Sequence, residues 1–267
     1  CLYGSGKSHL VKVLRFLFID HKLPTGVSAR QLCSLPQDIR DLLTELSTRG
    51  VQFGGLHSAG GTLKAGAGDV RLRVLGIIFK SVGLPEKFTH ARFLMDLRED
   101  GTLDAIKTKL VAAGKHLDGP GGEIEKLYVS KSLHEAYLEA YPNLRSVDAV
   151  AKALREQYPA RSEEISIQDM SATIKRALTR DGQFPLTVLV LDEVQQFIND
   201  DAKIASDIQE VAETIQKSFD GKLLLVATGQ SALSDTPALQ KIMGRFVIKV
   251  HLKDNDVEKV VRLSLIH

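Results

Sequence analysis

The sequence predicts an α/β fold in which helices flank a parallel β-sheet, and two observations support this prediction. Short apolar runs at 187–191 (TVLVL) and 223–227 (LLLVA) each end in polar residues, as buried parallel strands do. Helical periodicity separates and surrounds these runs, and alternation of strand and helix is typical of a parallel sheet wrapped by helices.

The composition is that of a globular protein, because 267 residues with 43% apolar and 25% charged content can bury the core of one or two domains. No apolar run reaches the roughly 18 residues of a membrane span, and no leader pattern is visible. Cys1 and Cys33 have neither metal-ligand nor disulfide spacing, and a net charge of +2 gives no general attraction to nucleic acid. We therefore expect a cytoplasmic protein with no membrane partner.

The amino-terminal part predicts a glycine-rich turn followed by helices. Apolar residues recur at helical spacing over 8–20, and a second helix is expected over 37–49. The stretch 51–61 (VQFGGLHSAGG) is glycine-rich, and a short strand at its start is left open. Further helical patterns lie near 69–82, 88–99, 102–114, 123–140, 146–157 and 167–179.

The carboxyl-terminal part returns to alternating strands and helices. Helices are expected over 201–218 and 237–243, and a third strand over 246–252 (FVIKVHL). The chain therefore divides into a first sheet segment at 1–68, a helix-rich insertion or layer at 69–180, and a second sheet segment at 181–267.

The opening residues 3–8 (YGSGKS) match the end of a phosphate-binding loop, in which glycines let backbone N–H groups surround phosphates. Lys7 would reach the β- and γ-phosphates, and Ser8 would hold Mg²⁺. Cys1 stands where the first glycine of the loop belongs. The alternative is a glycine turn that caps an ordinary helix. His9 adjoins the loop and has no individual role, so the nucleotide-binding positions are Gly4, Ser5, Gly6, Lys7, Ser8 and His9.

Two acidic residues follow the strand at 187–191. Ligands bind at the carboxyl ends of parallel strands, so Asp192 would bind Mg²⁺ and Glu193 would act as general base on the attacking water. The alternative is a solvated acidic turn that ends a strand.

Polar residues also follow the strand at 223–227. Thr228 or Gln230 could sense a γ-phosphate from this position, whereas the alternative is a turn through Gly229 with Ser231 as a helix cap.

Arg245 lies between a predicted helix and the last predicted strand. Its guanidinium could stabilise charge on a γ-phosphate of a neighbouring subunit as an arginine finger. The competing interpretation is a solvated surface arginine.

Six blocks along the chain together resemble the BrxC family of P-loop ATPases from bacterial BREX phage-defence systems, and the related PglY proteins. The blocks are YGSGKSHLVKVLR, GGLHSAGGTL, IIFKSVGLPE, LVLDEVQQFI, LLLVATGQSAL and GRFVIKVHLKDNDVEKVVR. The resemblance implies an AAA+ ATPase of the class with an additional catalytic glutamate. It assigns Lys7, Ser8, Asp192 and Glu193 to nucleotide and Mg²⁺, and by extension includes the sensor and Arg245.

The resemblance also implies ATP and Mg²⁺ as cofactors, a homo-oligomer, and other BREX components as partners. DNA stays open as a partner, reached indirectly or through missing regions. The chain starts without Met and stops within a helical pattern, so we expect a fragment that lacks the first core strand. Residues 1–267 alone are therefore expected to bind nucleotide weakly or not at all, and to be inactive.

Two other functions remain open. One is a nucleotide-dependent switch or scaffold with little hydrolysis, for which Arg245 is the discriminating residue. The other is a DNA translocase, which is disfavoured because the aromatic content is only 6% and no basic stripe with interleaved aromatic residues is visible.

Overall fold

The computed structural model describes residues 6–63, 69–160, 164–199, 201–229, 242 and 244–250. In this part of the chain the strands are β1 (Leu56–Thr62), β2 (Leu186–Asp192) and β3 (Leu223–Ala227). The helices are α1 (Lys7–Ile19), α2 (Ala29–Leu32), α3 (Gln37–Gln52), α4 (Val70–Ser81), α5 (Phe88–Glu99), α6 (Leu103–Ala112), α7 (Lys131–Ala140), α8 (Val147–Gln157), α9 (Ile167–Leu178), α10 (Val194–Ile198) and α11 (Ala202–Ser218), with 3-10 helices at Glu123–Lys126 and Pro142–Leu144.

The three strands form one parallel sheet in the order β1-β2-β3. The central strand β2 is buried from Thr187 to Leu191, as expected for a strand covered on both faces. Helices flank this sheet, which confirms the predicted α/β fold with a parallel sheet. The strands predicted at 187–191 and 223–227 are also confirmed.

Helix α1 covers one face of the sheet. Val11 and Phe18 of α1 pack against Val188, Val190 and Val226, which alternate with residues of the opposite face. The even-numbered positions of β2 and β3 therefore face α1.

The opposite face carries α4 and α11. Arg71 of α4 ties the two helices together, because its guanidinium lies 2.5 Å from Glu210 and 3.7 Å from Asp207 of α11. Helix α9 packs on both α4 and α11. The sheet is therefore enclosed between a layer that contains α1 and a layer that contains α4, α9 and α11.

Strand β1 contains two consecutive glycines because a helix approaches it closely on each side. A Cβ atom on Gly60 would lie 2.8 Å from the Arg15 side chain of α1, and one on Gly61 would lie 3.0 Å from Ile77 of α4. The Arg15 guanidinium lies over the backbone here, with Nη1 at 3.4 Å from the Gly60 carbonyl oxygen. These glycines are packing positions within a strand rather than parts of a turn.

The stretch 51–61 differs from the expectation. The short strand that was left open at the start of this stretch is not formed, because α3 continues to Gln52 and the amide of Phe53 then donates to the Gly50 carbonyl. Gly54 and Gly55 follow with φ of 79° and 101°, which reverse the chain into β1 at Leu56.

The single helix expected over 123–140 is also wrong, because the chain forms a 3-10 helix at Glu123–Lys126 and then begins α7 at Lys131. Ser130 separates the two elements. Its side-chain oxygen accepts the Leu133 amide as a helix cap, and its hydroxyl donates to the carboxylate of Glu123.

The strand expected over 246–252 is not formed over residues 246–250, and residues 251 and 252 lie outside the described part. Val247 and Ile248 are 89% and 82% exposed. A strand needs a hydrogen-bonded neighbour, and no described residue pairs with this segment in a ladder. The expected helix over 237–243 also falls almost wholly outside the described residues.

Contacts between residues divide the chain into two compact units, Cys1–Ser81 with Ser166–His267, and Val82–Ile165. The predicted helix-rich segment 69–180 is wider than the second unit, since α4 and α9 pack within the sheet unit. That this segment is an insertion into a nucleotide-binding core stays a prediction.

The helical unit Val82–Ile165 has an aromatic core with satisfied hydroxyl groups. Phe93 stacks on Tyr137 and meets Tyr158 edge to face, with ring centroids 6.0 and 5.4 Å apart. The Tyr158 hydroxyl donates to Asp96 at 2.6 Å. These contacts are those of a packed core.

None of the helices in the described ranges combines the length and the apolar character needed to cross a membrane.

His57 links the stability of the sheet unit to pH. Its Nε2 lies 2.9 Å from Ser81 Oγ, and Ser81 donates its own proton to the Ile78 carbonyl, so the neutral ring donates to the serine oxygen. Burial, with the charges of Arg180 and Arg15, lowers the His57 pKa from 6.5 to about 4.

We predict that His57→Gln weakens the acid destabilisation of the protein. His57 is protonated more readily in the unfolded chain than in the folded chain between pH 6.5 and about 4. The free energy of unfolding therefore falls as the pH falls through that window. Urea unfolding at several pH values should therefore show that the free energy of unfolding depends less steeply on pH in His57→Gln than in the wild type. His116→Gln, at an exposed position, should keep the pH dependence of the wild type. The same pH dependence of the unfolding free energy in all three proteins would contradict the prediction.

Candidate functional site

The carboxyl ends of the three parallel strands meet at one edge of the sheet and present polar residues there. Thr62 at the end of β1 pairs with Asp192 at the end of β2, and Thr228 follows β3 directly. Side chains alternate along a strand, so Asp192 and Thr228 lie on the same face as Val190 and Val226. That face is the one covered by α1.

Thr228 is hydrogen-bonded to the turn that follows β2. Its hydroxyl donates to Asp192 Oδ1 and accepts the amide of Glu193 at 3.1 Å. Its backbone amide donates to the Leu191 carbonyl, and its carbonyl accepts the amide of Val194, both at 3.0 Å. One residue therefore contacts four consecutive residues, 191–194, which we call the strand-end turn.

Glu193 occupies the left-handed region of backbone conformation within the strand-end turn, with φ 59° and ψ 34°. This region is costly for a residue with a Cβ atom, by roughly 1–2 kcal/mol. The Glu193 amide is shared between Thr228 Oγ1 and Asp192 Oδ1, each at 3.1 Å, and these bonds support the unusual conformation. The short helix α10 then begins at Val194.

Lys7 brings the beginning of α1 to the same edge. Its Nζ donates to the carbonyl oxygen of Gly229 at 2.8 Å, although the two residues are 222 positions apart. Gly6, which precedes the helix, has φ 67°, a conformation that glycine adopts without strain. No side chain among the described residues caps α1, so the amides of its first turn are suited to an anion.

The structure therefore brings together four of the predicted residues, which are Lys7, Asp192, Glu193 and Thr228. Ser8 and His9 lie exposed in the first turn of α1 beside Lys7. Gly6 is the N-terminal cap of that helix. Gly4, Ser5 and Gln230 lie outside the described residues.

Arg245 forms an ion pair with helix α11. Its Nη2 lies 2.9 Å from Glu213 Oε1 on α11. Four residues separate the end of α11 at Ser218 from the start of β3 at Leu223, and Glu213 lies five residues before the end of α11. The ion pair therefore holds Arg245 against α11.

Two groups at the edge were missed from the sequence. Thr62 ends β1 with a polar residue as Asp192 ends β2, but the sequence interpretation of this stretch stopped at Gly61. The Gly229 carbonyl is a backbone group whose contact with Lys7 depends on the tertiary fold.

The donor chemistry at this edge suits a hard cation. The described residues contain no group of three or more His, Cys, Asp or Glu side chains arranged for a metal ion. Asp192 and Ser8 offer one carboxylate and one hydroxyl, which is the type of sparse oxygen set that Mg²⁺ accepts together with water and phosphate. These two residues would hold the ion.

No protein-family model matches the chain, and no solved structure matches it either.

We predict that Glu193→Gly stabilises the protein relative to Glu193→Ala by about 1 kcal/mol, because glycine removes the cost of the left-handed conformation. Both variants lack the carboxylate, so the difference between their free energies of unfolding reports the cost of the left-handed backbone alone. Urea unfolding of the two variants measures this difference. Equal stability of the two variants would mean that position 193 leaves the left-handed region once the carboxylate is removed.

Proposed function

We propose that the chain is the nucleotide-binding core of a P-loop ATPase. The observation that carries this proposal is the contact between Lys7 Nζ and the Gly229 carbonyl, which brings the lysine of the GSGKS motif beside the Thr228 and Asp192 pair. A cation at a helix start, next to a carboxylate at a strand end, is the arrangement that binds a phosphate together with its metal ion.

The proposed reaction is the in-line attack of water on the γ-phosphorus of ATP. The oxygen of water forms a bond to phosphorus, the bond to the bridging oxygen of ADP breaks, and Glu193 accepts the proton of the water. Lys7 and the amides of the first turn of α1 neutralise phosphate charge. Mg²⁺, held by Ser8 and Asp192, would supply further charge neutralisation.

We further propose, from the six sequence blocks, that the ATPase is of the AAA+ type and belongs to a cytoplasmic BREX phage-defence complex. It would act as a homo-oligomer with other BREX components, and hydrolysis would drive or gate assembly of the complex on DNA. The parallel sheet flanked by helices is compatible with a P-loop-like fold.

We predict that Lys7→Ala abolishes MgATP binding by the full-length protein, because it removes the ammonium group that the GSGKS motif brings to this edge of the sheet. Glu193→Gln should bind MgATP normally but lose turnover, since an amide cannot accept the proton. Calorimetric titration and phosphate release measure the two properties. Lys12→Ala, at an exposed position in the same helix, should behave as wild type, and normal turnover by Glu193→Gln would refute its role as base.

A second candidate function is a nucleotide-dependent switch or scaffold with little hydrolysis. The observation that favours it is the ion pair that engages Arg245 with Glu213 of α11 within the chain. A subunit that lacks a second cation at the γ-phosphate hydrolyses ATP slowly.

Arg245→Ala separates the two functions. If Arg245 reaches the site of a neighbouring subunit, its loss should lower the turnover of the full-length protein by about 10³-fold and leave MgATP binding unchanged. Arg40→Ala, on the exposed surface of α3, is the matched control. Slow turnover that is the same in wild type and in Arg245→Ala would favour the switch.

A further inference from the structure

We propose that Thr228 is a positioning residue, which holds the strand-end turn so that the carboxylate of Glu193 is fixed in place for proton transfer. This inference rests on the proposed ATPase function and adds to it the residue that orients the general base. It replaces the expectation that Thr228 contacts the γ-phosphate itself.

The hydrogen-bonding capacity of a hydroxyl supports this assignment. A threonine hydroxyl has one proton to donate, and Thr228 donates it to Asp192 Oδ1. Phosphate oxygens are acceptors and need donors. While the contact with Asp192 holds, Thr228 has no proton left for a phosphate oxygen, and its hydroxyl acts on the protein instead.

The backbone of the strand-end turn shows what the hydroxyl holds. Glu193 has a left-handed conformation, and its amide reaches both Thr228 Oγ1 and Asp192 Oδ1 at 3.1 Å. If the hydroxyl were removed, the amide would keep only one acceptor, and the conformation would lose part of its support. The direction in which the Glu193 side chain leaves the backbone depends on this φ.

The same hydroxyl also orients Asp192. Both hydrogen bonds that described residues donate to this carboxylate go to Oδ1, so Oδ2 is the oxygen that would meet a cation. Thr228 therefore links the position of the base to the orientation of the carboxylate that would hold Mg²⁺. A turn that serves only to end a strand would need the backbone bonds to Leu191 and Val194 but not the side-chain pair.

The test uses Thr228→Val, which keeps the shape and removes the hydroxyl, and Thr228→Ser, which keeps the hydroxyl. The control is Thr187→Val. It is the same substitution at a buried position near the amino end of β2, where the threonine hydroxyl donates to the Pro185 carbonyl. All variants are made in the full-length protein.

The first measurement is amide hydrogen exchange without nucleotide, followed in peptides that contain Glu193 and Val194. Thr228→Val should speed exchange of these amides by about tenfold, as expected for the loss of one net hydrogen bond. Thr228→Ser and Thr187→Val should exchange as wild type does. Unchanged exchange in Thr228→Val would overturn the proposal.

The second measurement is steady-state ATP hydrolysis with the affinities for MgATP and MgADP. Thr228→Val should lower kcat by about 10²-fold, the cost of a misplaced catalytic group, with KM and the ratio of the two affinities near wild type. Thr228→Ser should restore kcat. A selective loss of MgATP affinity relative to MgADP would overturn the proposal, because it would indicate direct contact with the γ-phosphate.

Failure of the ATPase function itself has a different result. If the wild-type protein binds no MgATP, the proposed function and the catalytic role of Thr228 both fall. The exchange measurement still decides separately whether the hydroxyl holds the strand-end turn.

Discussion

The pairing of β2 with a strand on each side is the constraint on which the candidate site depends. Its register with β1 and β3 determines which residues come level at the carboxyl edge, since a shift by one residue would turn every side chain to the opposite face. Asp192 and Thr228 meet on the α1 face because Val190 and Val226, two residues earlier, are packed under that helix. The apolar core therefore decides which polar residues meet.

The residues of the edge divide into those that hold the backbone and those that are left for a ligand. Thr228 and the amide of Glu193 are engaged with Asp192, whereas Ser8 and His9 are exposed at the start of α1. Lys7 belongs to both groups, since it is bound to the Gly229 carbonyl and would have to leave that oxygen to meet a phosphate. A neutral carbonyl is a weaker partner for an ammonium group than a phosphate is.

Much of the sheet could be predicted from the sequence, because β2 and β3 are short β-branched apolar runs with polar ends. Strand β1 was not located from the sequence, since its glycines resemble a loop and the reason for them, the close approach of Arg15 and Ile77 from two helices, is tertiary. The strand-end carboxylate and the lysine of the glycine-rich turn were identified because each follows a local pattern. The pairing of Arg245 with Glu213 has no local pattern, and neither does the left-handed backbone of Glu193.

The side chain of Arg15 in α1 lies in close contact with Gly60 of β1. Arg15 lies eight residues after Lys7, a distance of about 12 Å along a helix, so this contact lies away from the candidate site. A side chain at position 60 would meet Cδ, Nη1 and Cζ of Arg15 at 2.8 to 2.9 Å. These atoms are the far end of a flexible side chain, so a methyl group at position 60 would displace the Arg15 guanidinium from the Gly60 carbonyl and leave the backbone of α1 in place.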